Sequence, residues 1–186
     1  MPITLDYLQA RLKEWKGVEL ARTANPVLGE GNPHADIMFI GEAPGQKENE
    51  QGRPFVGAAG KLLNELLESI GLKRDDVYIS NVVKYRPPQN RDPTDQEKQA
   101  CLPWLLAEIA LVQPRLIVPL GRHALGHFLP DITITNAHGK PQKLMNMDGV
   151  TVFPMYHPAA ALYNGGLRES LFDDFTALRA FLDSQS

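Results

Sequence analysis

The chain has 186 residues, 43% hydrophobic and 22% charged, with a formal net charge of −3. This composition supports one sizeable core, excludes wholesale disorder, and argues against coating nucleic acid by bulk charge, while leaving a local basic surface open. One cysteine, Cys101, excludes an intrachain disulfide and any all-cysteine metal site within one chain.

A single cysteine fits a reducing cytosol, and a cytoplasmic location is expected. Met1 to Trp15 holds no basic stretch followed by an apolar one, so no secretion signal is expected. No apolar run reaches bilayer-spanning length, so no membrane partner is expected. Without repeats, low-complexity tracts or long linkers, residues 1–186 read as a single domain.

Four short apolar runs are rich in β-branched and aromatic residues, as strands buried on both faces would be. The first, Asp36-Ile-Met-Phe-Ile40, leads to Leu62, Leu63, Leu66, Leu67 and Ile70 at helical spacing, with Gly71 as a stop. The second, Val77-Tyr-Ile-Ser80, leads to Thr94-Asp-Gln-Glu97, a capping box whose helix should run to about Val112. The third, Arg115-Leu-Ile-Val-Pro-Leu120, precedes a short helix over Gly121 to Phe128 and an irregular excursion from Pro130 to Asp148. After the fourth, Val150-Thr-Val-Phe153, a stripe of Leu167, Leu171, Phe175, Leu178 and Leu182 marks a closing helix. The expected architecture is a three-layer α/β/α sandwich around a central, mainly parallel four-stranded sheet.

Open α/β sheets place ligand sites beyond the carboxyl ends of their strands. There the sequence reads Gly41-Glu-Ala-Pro-Gly45, Asn81-Val-Val-Lys-Tyr-Arg-Pro-Pro88, Gly121-Arg-His123 and Met155-Tyr-His-Pro158. Taken singly, each candidate has an ordinary structural reading. Glu42 fits an exposed turn carboxylate, Phe55 a core ring, Asn81 a turn residue, His157 a structural imidazole and Leu162 a core leucine.

Together, Gly41-Glu42-Ala43-Pro44-Gly45 with Gly52-Arg-Pro-Phe-Val-Gly57, the Asn81–Pro88 segment and His157-Pro-Ala-Ala-Ala-Leu162 resemble the three motifs of the type 4 uracil-DNA glycosylases. The likeness extends from about Arg22 to the last helix. It implies a monofunctional enzyme that hydrolyses the bond between sugar and uracil in single- or double-stranded DNA, acts in base excision repair and works as a monomer. Such a catalyst extrudes the nucleotide, holds the base, stabilises a departing anion and supplies water.

By resemblance, Glu42, Asn81 and His157 are the catalytic residues. Glu42 would orient water or stabilise the cationic sugar, and the aspartate that follows this position in the larger uracil glycosylase family is Ala43 here. Gly41, Ala43, Phe55, Asn81 and His157 would contact the substrate. Phe55 would stack on the flipped base, Asn81 would pair with N3–H and O4, and His157 would donate to O2. Charge placement, with no carboxylate from Tyr78 to Arg91 or from Gly149 to Arg168, puts Lys84, Arg86 and Arg168 at DNA phosphates, and the resemblance makes Leu162 the wedge that fills the vacated stack.

Most type 4 members hold an iron–sulfur cluster through four cysteines. This chain has no cysteine from Met1 to Arg22, carries Tyr85 where the third would stand, and keeps only Cys101. The expectation is therefore a protein without metal or cofactor, with Trp15, Tyr85 and Trp104 packed where the cluster would lie. Asn49 also stands where the family usually has an aspartate. Three other readings are open: a glycosylase for hypoxanthine or xanthine, an inactive DNA- or nucleobase-binding module, and an α/β nucleotide enzyme unrelated to DNA.

Overall fold

The computed structural model describes residues 3–144 and 147–185. In chain order the elements are α1 (Leu5–Glu14), β1 (Glu30–Gly31), β2 (Ile37–Gly41), α2 (Gln46–Gln51), α3 (Ala58–Ser69), β3 (Tyr78–Asn81) and α4 (Asp95–Val112). There follow β4 (Leu116–Pro119), α5 (Arg122–Phe128), α6 (Ile134–Ala137), β5 (Gln142–Lys143), β6 (Thr151–Val152), α7 (Pro158–Ala161) and α8 (Gly165–Ser184). No helix among the described residues is long and apolar enough to cross a membrane.

The strands form one sheet in the order β1-β3-β2-β4-β6-β5. Its centre, β3-β2-β4-β6, is parallel and built from the four apolar runs. The expectation of four strands is corrected to six, because β1 and β5 add antiparallel pairs at the two rims. Each rim strand is two residues long, with no hydrophobic alternation to betray it. Such strands form because backbone groups at a sheet edge take partners wherever the chain passes.

Alternating strand residues feed two apolar layers. Met38, Ile40, Tyr78, Ile117 and Val152 pack with residues of α1 and α4. Ile37, Phe39, Ile79, Val118 and Phe153 pack with α3 and α8. The sheet is therefore covered on both faces, as a parallel sheet requires.

The helices start and stop for local reasons. Thr94 Oγ1 accepts from the Glu97 amide at 3.2 Å while Glu97 Oε2 accepts from the Thr94 amide at 2.8 Å. The capping box thus forms as expected, and α4 ends at Val112 before Gln113 turns left-handed with φ 55°. Helix α3 ends one residue before Ile70, and Gly71 follows with φ +75°. In α8 the expected stripe buries Leu171, Phe175 and Leu178, with Leu167 and Leu182 half-buried beside them. The Pro130–Asp148 excursion contains α6 and β5; its residues 145 and 146 lie outside the described ones.

Candidate active site

The loops after β2, β3 and the segment following β6 meet at a cavity of about 570 Å³, lined among others by Ala43, Phe55, Asn81, Asn90, His157 and Leu162. Asn81 is the last residue of β3 and pairs in register with Gly41, the last of β2. It is 2% exposed, and its Oδ1 is the one buried side-chain polar atom among the described residues with no hydrogen-bond partner. An orphaned buried acceptor costs roughly 1–3 kcal/mol, so it marks a place where a donor from outside would be welcome. Gly41 makes room for it: a Cβ there would lie 2.5 Å from Asn81 Oδ1 and 2.6 Å from Phe55 Cζ.

Phe55 forms one wall in a strained backbone conformation with φ 50°. Such strain costs on the order of 1–3 kcal/mol and persists only where neighbours over-determine it. Those neighbours are present. Arg74 donates to the Phe55 carbonyl at 2.9 Å and to that of Pro54. Glu48 Oε1 accepts from the amides of Val56 and Gly57 at 3.0 and 2.9 Å. Gly60 lets α3 start directly beneath, since a Cβ there would collide with the Phe55 carbonyl oxygen at 1.9 Å.

His157 stands before α7 with its ring 5.6 Å from that of Phe55 and tilted by 24°. Its Nδ1 accepts from the Ala159 amide at 3.0 Å. Burial pulls its pKa down to about 4, only partly opposed by the charge of Glu48. At neutral pH the ring is uncharged. With Nδ1 used as an acceptor, its proton sits on Nε2, which is a donor.

Asn81 and His157 thus share one cavity with Phe55, but the expectation of a single slot lined by Glu42, Asn81 and His157 is corrected. Glu42 does not line it. The residue adjoins the cavity through Ala43, and its carboxylate lies beside His123, with Oε2 3.5 Å from Nε2. Burial pushes the Glu42 carboxyl pKa up; His123, Arg122 and Lys98 oppose that push and Asp92 adds to it.

The expected phosphate contacts divide. Lys84 is corrected: it is fully buried and cannot reach a phosphate. Its ammonium donates to Ser80 Oγ at 2.8 Å and the Asn81 carbonyl at 2.6 Å, and it pairs with the buried Glu108 carboxylate. Glu108 also accepts from the Gly29 amide at 2.6 Å and from Ser80 Oγ at 2.9 Å. Lys84 is therefore a brace on the backbone of Asn81. Arg86 is half-buried, donating from Nε to Asn90 Oδ1 at 2.7 Å. Arg168 pairs with Glu65 at 2.6 Å. Leu162 is half-buried against the core at the cavity wall, whereas the next residue, Tyr163, is 96% exposed.

The sequence reading placed His123 in a segment at the site's end of the sheet but gave it no role, and it missed Asn90, Arg74 and Glu48. Asn90 carries a weak signal, an asparagine in a polar stretch after two prolines that takes a left-handed φ of 55°. The others act through distant partners and have no local signature.

The four-thiolate cluster that the resemblance implies does not fit the residues present. Tyr85 is buried, donating from its hydroxyl to the carbonyls of Leu12 and Trp15 at 2.9 and 3.2 Å. The Trp15 ring lies 6.0 Å from Tyr85 and 5.5 Å from Trp104. Burial raises the Cys101 pKa, favouring the thiol over the thiolate that a metal would need.

The family model described as the uracil DNA glycosylase superfamily matches residues 28–179. A type-4 uracil-DNA glycosylase of Sulfurisphaera tokodaii is 50% identical, over 83% of this chain and 74% of that protein. Similar proteins of the same description occur in Archaeoglobus fulgidus (45%, over 92% of this chain and 90% of that one) and Thermotoga maritima (44%, 90% and 88%). Identity at this level over most of both chains, together with a family match spanning residues 28–179, admits one assignment: the chain belongs to the uracil DNA glycosylase superfamily.

Proposed function

We infer that the protein is a monofunctional DNA glycosylase that hydrolyses the N-glycosidic bond of uracil in DNA, leaving an abasic site for base excision repair. The observation that carries this reading is the unpartnered Asn81 Oδ1 in a cavity walled by Phe55 and by the donor-bearing His157. Uracil supplies N3–H to that acceptor and O4 to the amide NH2. Cytosine presents the reverse pattern and would leave both sides of the pair unsatisfied. Phe55 stacks on the base, a contact worth roughly 1–3 kcal/mol.

As the bond between C1′ and N1 breaks, its electron pair moves to the base and negative charge gathers on O2. The Nε2–H of a neutral His157 stabilises that charge without any prior protonation. Water forms the new bond to C1′ and gives up a proton, which ends on the departing uracil anion to leave neutral uracil; Glu42, at the cavity's edge, orients that water or stabilises the cationic sugar. Gly41 and Ala43 are the backbone floor against which the base lies.

The DNA strand, single or double, runs past this mouth. Arg86 and Arg168 approach phosphates, Arg168 by exchanging its partner Glu65, and Leu162 supports the space the nucleotide leaves. The protein acts as one domain and as a monomer, without an iron–sulfur cluster.

The test incubates the protein with oligonucleotides carrying uracil, hypoxanthine, xanthine or a mismatched thymine, then cleaves abasic sites with alkali. Release from uracil is expected. Release from hypoxanthine or xanthine alone would reassign the substrate, and release from none would leave a binding module. Purified protein should be colourless; a brown preparation with stoichiometric iron would overturn the cluster-free reading.

A further inference from the structure

Three parallel strands deliver three side chains to one point beside the cavity. Glu42 follows β2, Asp92 lies in the segment after β3, and His123 stands in the first turn of α5 after β4. One carboxylate or imidazole atom of each lies within 4.8 Å of the other two. His123 Nε2 is 3.5 Å from Glu42 Oε2 and 3.2 Å from Asp92 Oδ2. Arg122 donates from Nη2 to Asp92 Oδ2 at 3.1 Å, and its Nε lies 3.2 Å from His123 Nε2.

This cluster spans separate elements, and nothing in base recognition requires it. Its inner members are shielded: the side chains of His123 and Glu42 are 20% and 25% exposed, those of Asp92 and Arg122 60% and 72%. The outer pair therefore braces the inner one. A guanidinium already seated against Asp92 and His123 makes the point unsuited to a cation. Since burial favours the protonated, uncharged form of Glu42, a carboxylate kept there needs a positive or donating neighbour at close range.

We propose that His123, backed by Asp92 and Arg122, is a positioning residue that holds the Glu42 carboxylate at the cavity's edge for glycosidic bond hydrolysis. The proposal rests on the glycosylase reading and on Glu42 acting in it. Unprotonated, His123 Nε2 accepts from Arg122 Nε–H at 3.2 Å; protonated, it stands within ion-pair distance of both carboxylates. The charged groups facing this point are Glu42, Asp92, Arg122 and Lys98, with Asp95 also sensing His123. Losing the imidazole removes an influence that keeps Glu42 ionised. The acid limb of the excision rate should then move to higher pH.

The experiment measures single-turnover release of uracil from a single-stranded oligonucleotide across pH. It compares wild type, His123→Ala, His123→Gln, Glu42→Gln and the His123→Ala/Glu42→Gln pair. His123→Ala should slow excision on the order of tenfold and shift the acid limb upward, with melting temperature and affinity for abasic-site DNA unchanged. His123→Gln, which keeps an amide donor, should recover most of the rate. In the Glu42→Gln background, His123→Ala should cost less than about twofold, because two residues acting through one another are not additive. Wild-type rate and acid limb in His123→Ala, or the same loss in both backgrounds, overturns the proposal while leaving the glycosylase reading intact. Wild-type protein that releases no uracil overturns both.

Discussion

Asn81 and Lys84 lie three residues apart at the end of β3, equally withdrawn from water, and the fold answers them in opposite ways. Lys84 has a serine hydroxyl, a backbone carbonyl and a carboxylate around its ammonium. Asn81 Oδ1 has nothing. A fold that builds a full set of partners for a charged lysine could satisfy an amide too, so the open acceptor supports the proposed base-reading role of Asn81. The satisfied residue is structural, and because Lys84 bonds the Asn81 carbonyl, it holds the open one in place.

The largest effect that would sharpen this contrast is on activity. Asn81→Ala should lower uracil excision by at least about 100-fold, as loss of a group acting in the transition state does, without lowering the melting temperature. A large drop in stability instead would mean that Asn81 is structural after all.

Lys84→Met should do the reverse, destabilising the fold by about 3–5 kcal/mol in urea denaturation, because Glu108 is left buried with its charge uncompensated. The Lys84→Met/Glu108→Leu pair should regain most of that loss. If Lys84→Met is harmless, the contrast with Asn81 collapses.

A smaller effect separates the aromatic packing near Cys101 from the cavity. Tyr85→Phe should cost about 1–2 kcal/mol, leaving the carbonyls of Leu12 and Trp15 short of a donor, with excision unchanged.

The smallest concerns His157. Its folded pKa of about 4 lies below the ordinary 6.5, so between those values the unfolded chain binds the extra proton and the folded one does not. Stability therefore falls as pH drops through that window and levels off below it. Denaturation at pH 7 and pH 5 should show wild type losing about 1 kcal/mol more than His157→Asn, a figure reduced for the ring's partial contact with solvent.

Much of the fold is legible along the chain. The four apolar runs become the parallel centre, the Thr94–Glu97 box starts α4, and the leucine stripes mark α3 and α8. The rim strands are not legible, since two residues without alternation leave no pattern. Within the site, Asn81, His157 and Phe55 are found by motif, and all three line the cavity. Lys84 misleads. A basic residue in a stretch free of carboxylates suggests a phosphate contact, but its partner Glu108 comes from α4, 24 residues further on.

The sequence by itself determined the four central strands in chain order, the helices α3, α4, α5 and α8 between and after them, and the loops proposed to carry the chemistry. Those depend on periodicity, capping and turn residues within a few positions of one another. Only the tertiary structure decided which polar groups are satisfied and which are left open. It placed Glu108 against Lys84, Arg74 beneath Phe55 and His123 beside Glu42. Each of those pairings joins segments far apart in the chain, and the burial that gives them their strength exists only once the layers have closed on the sheet.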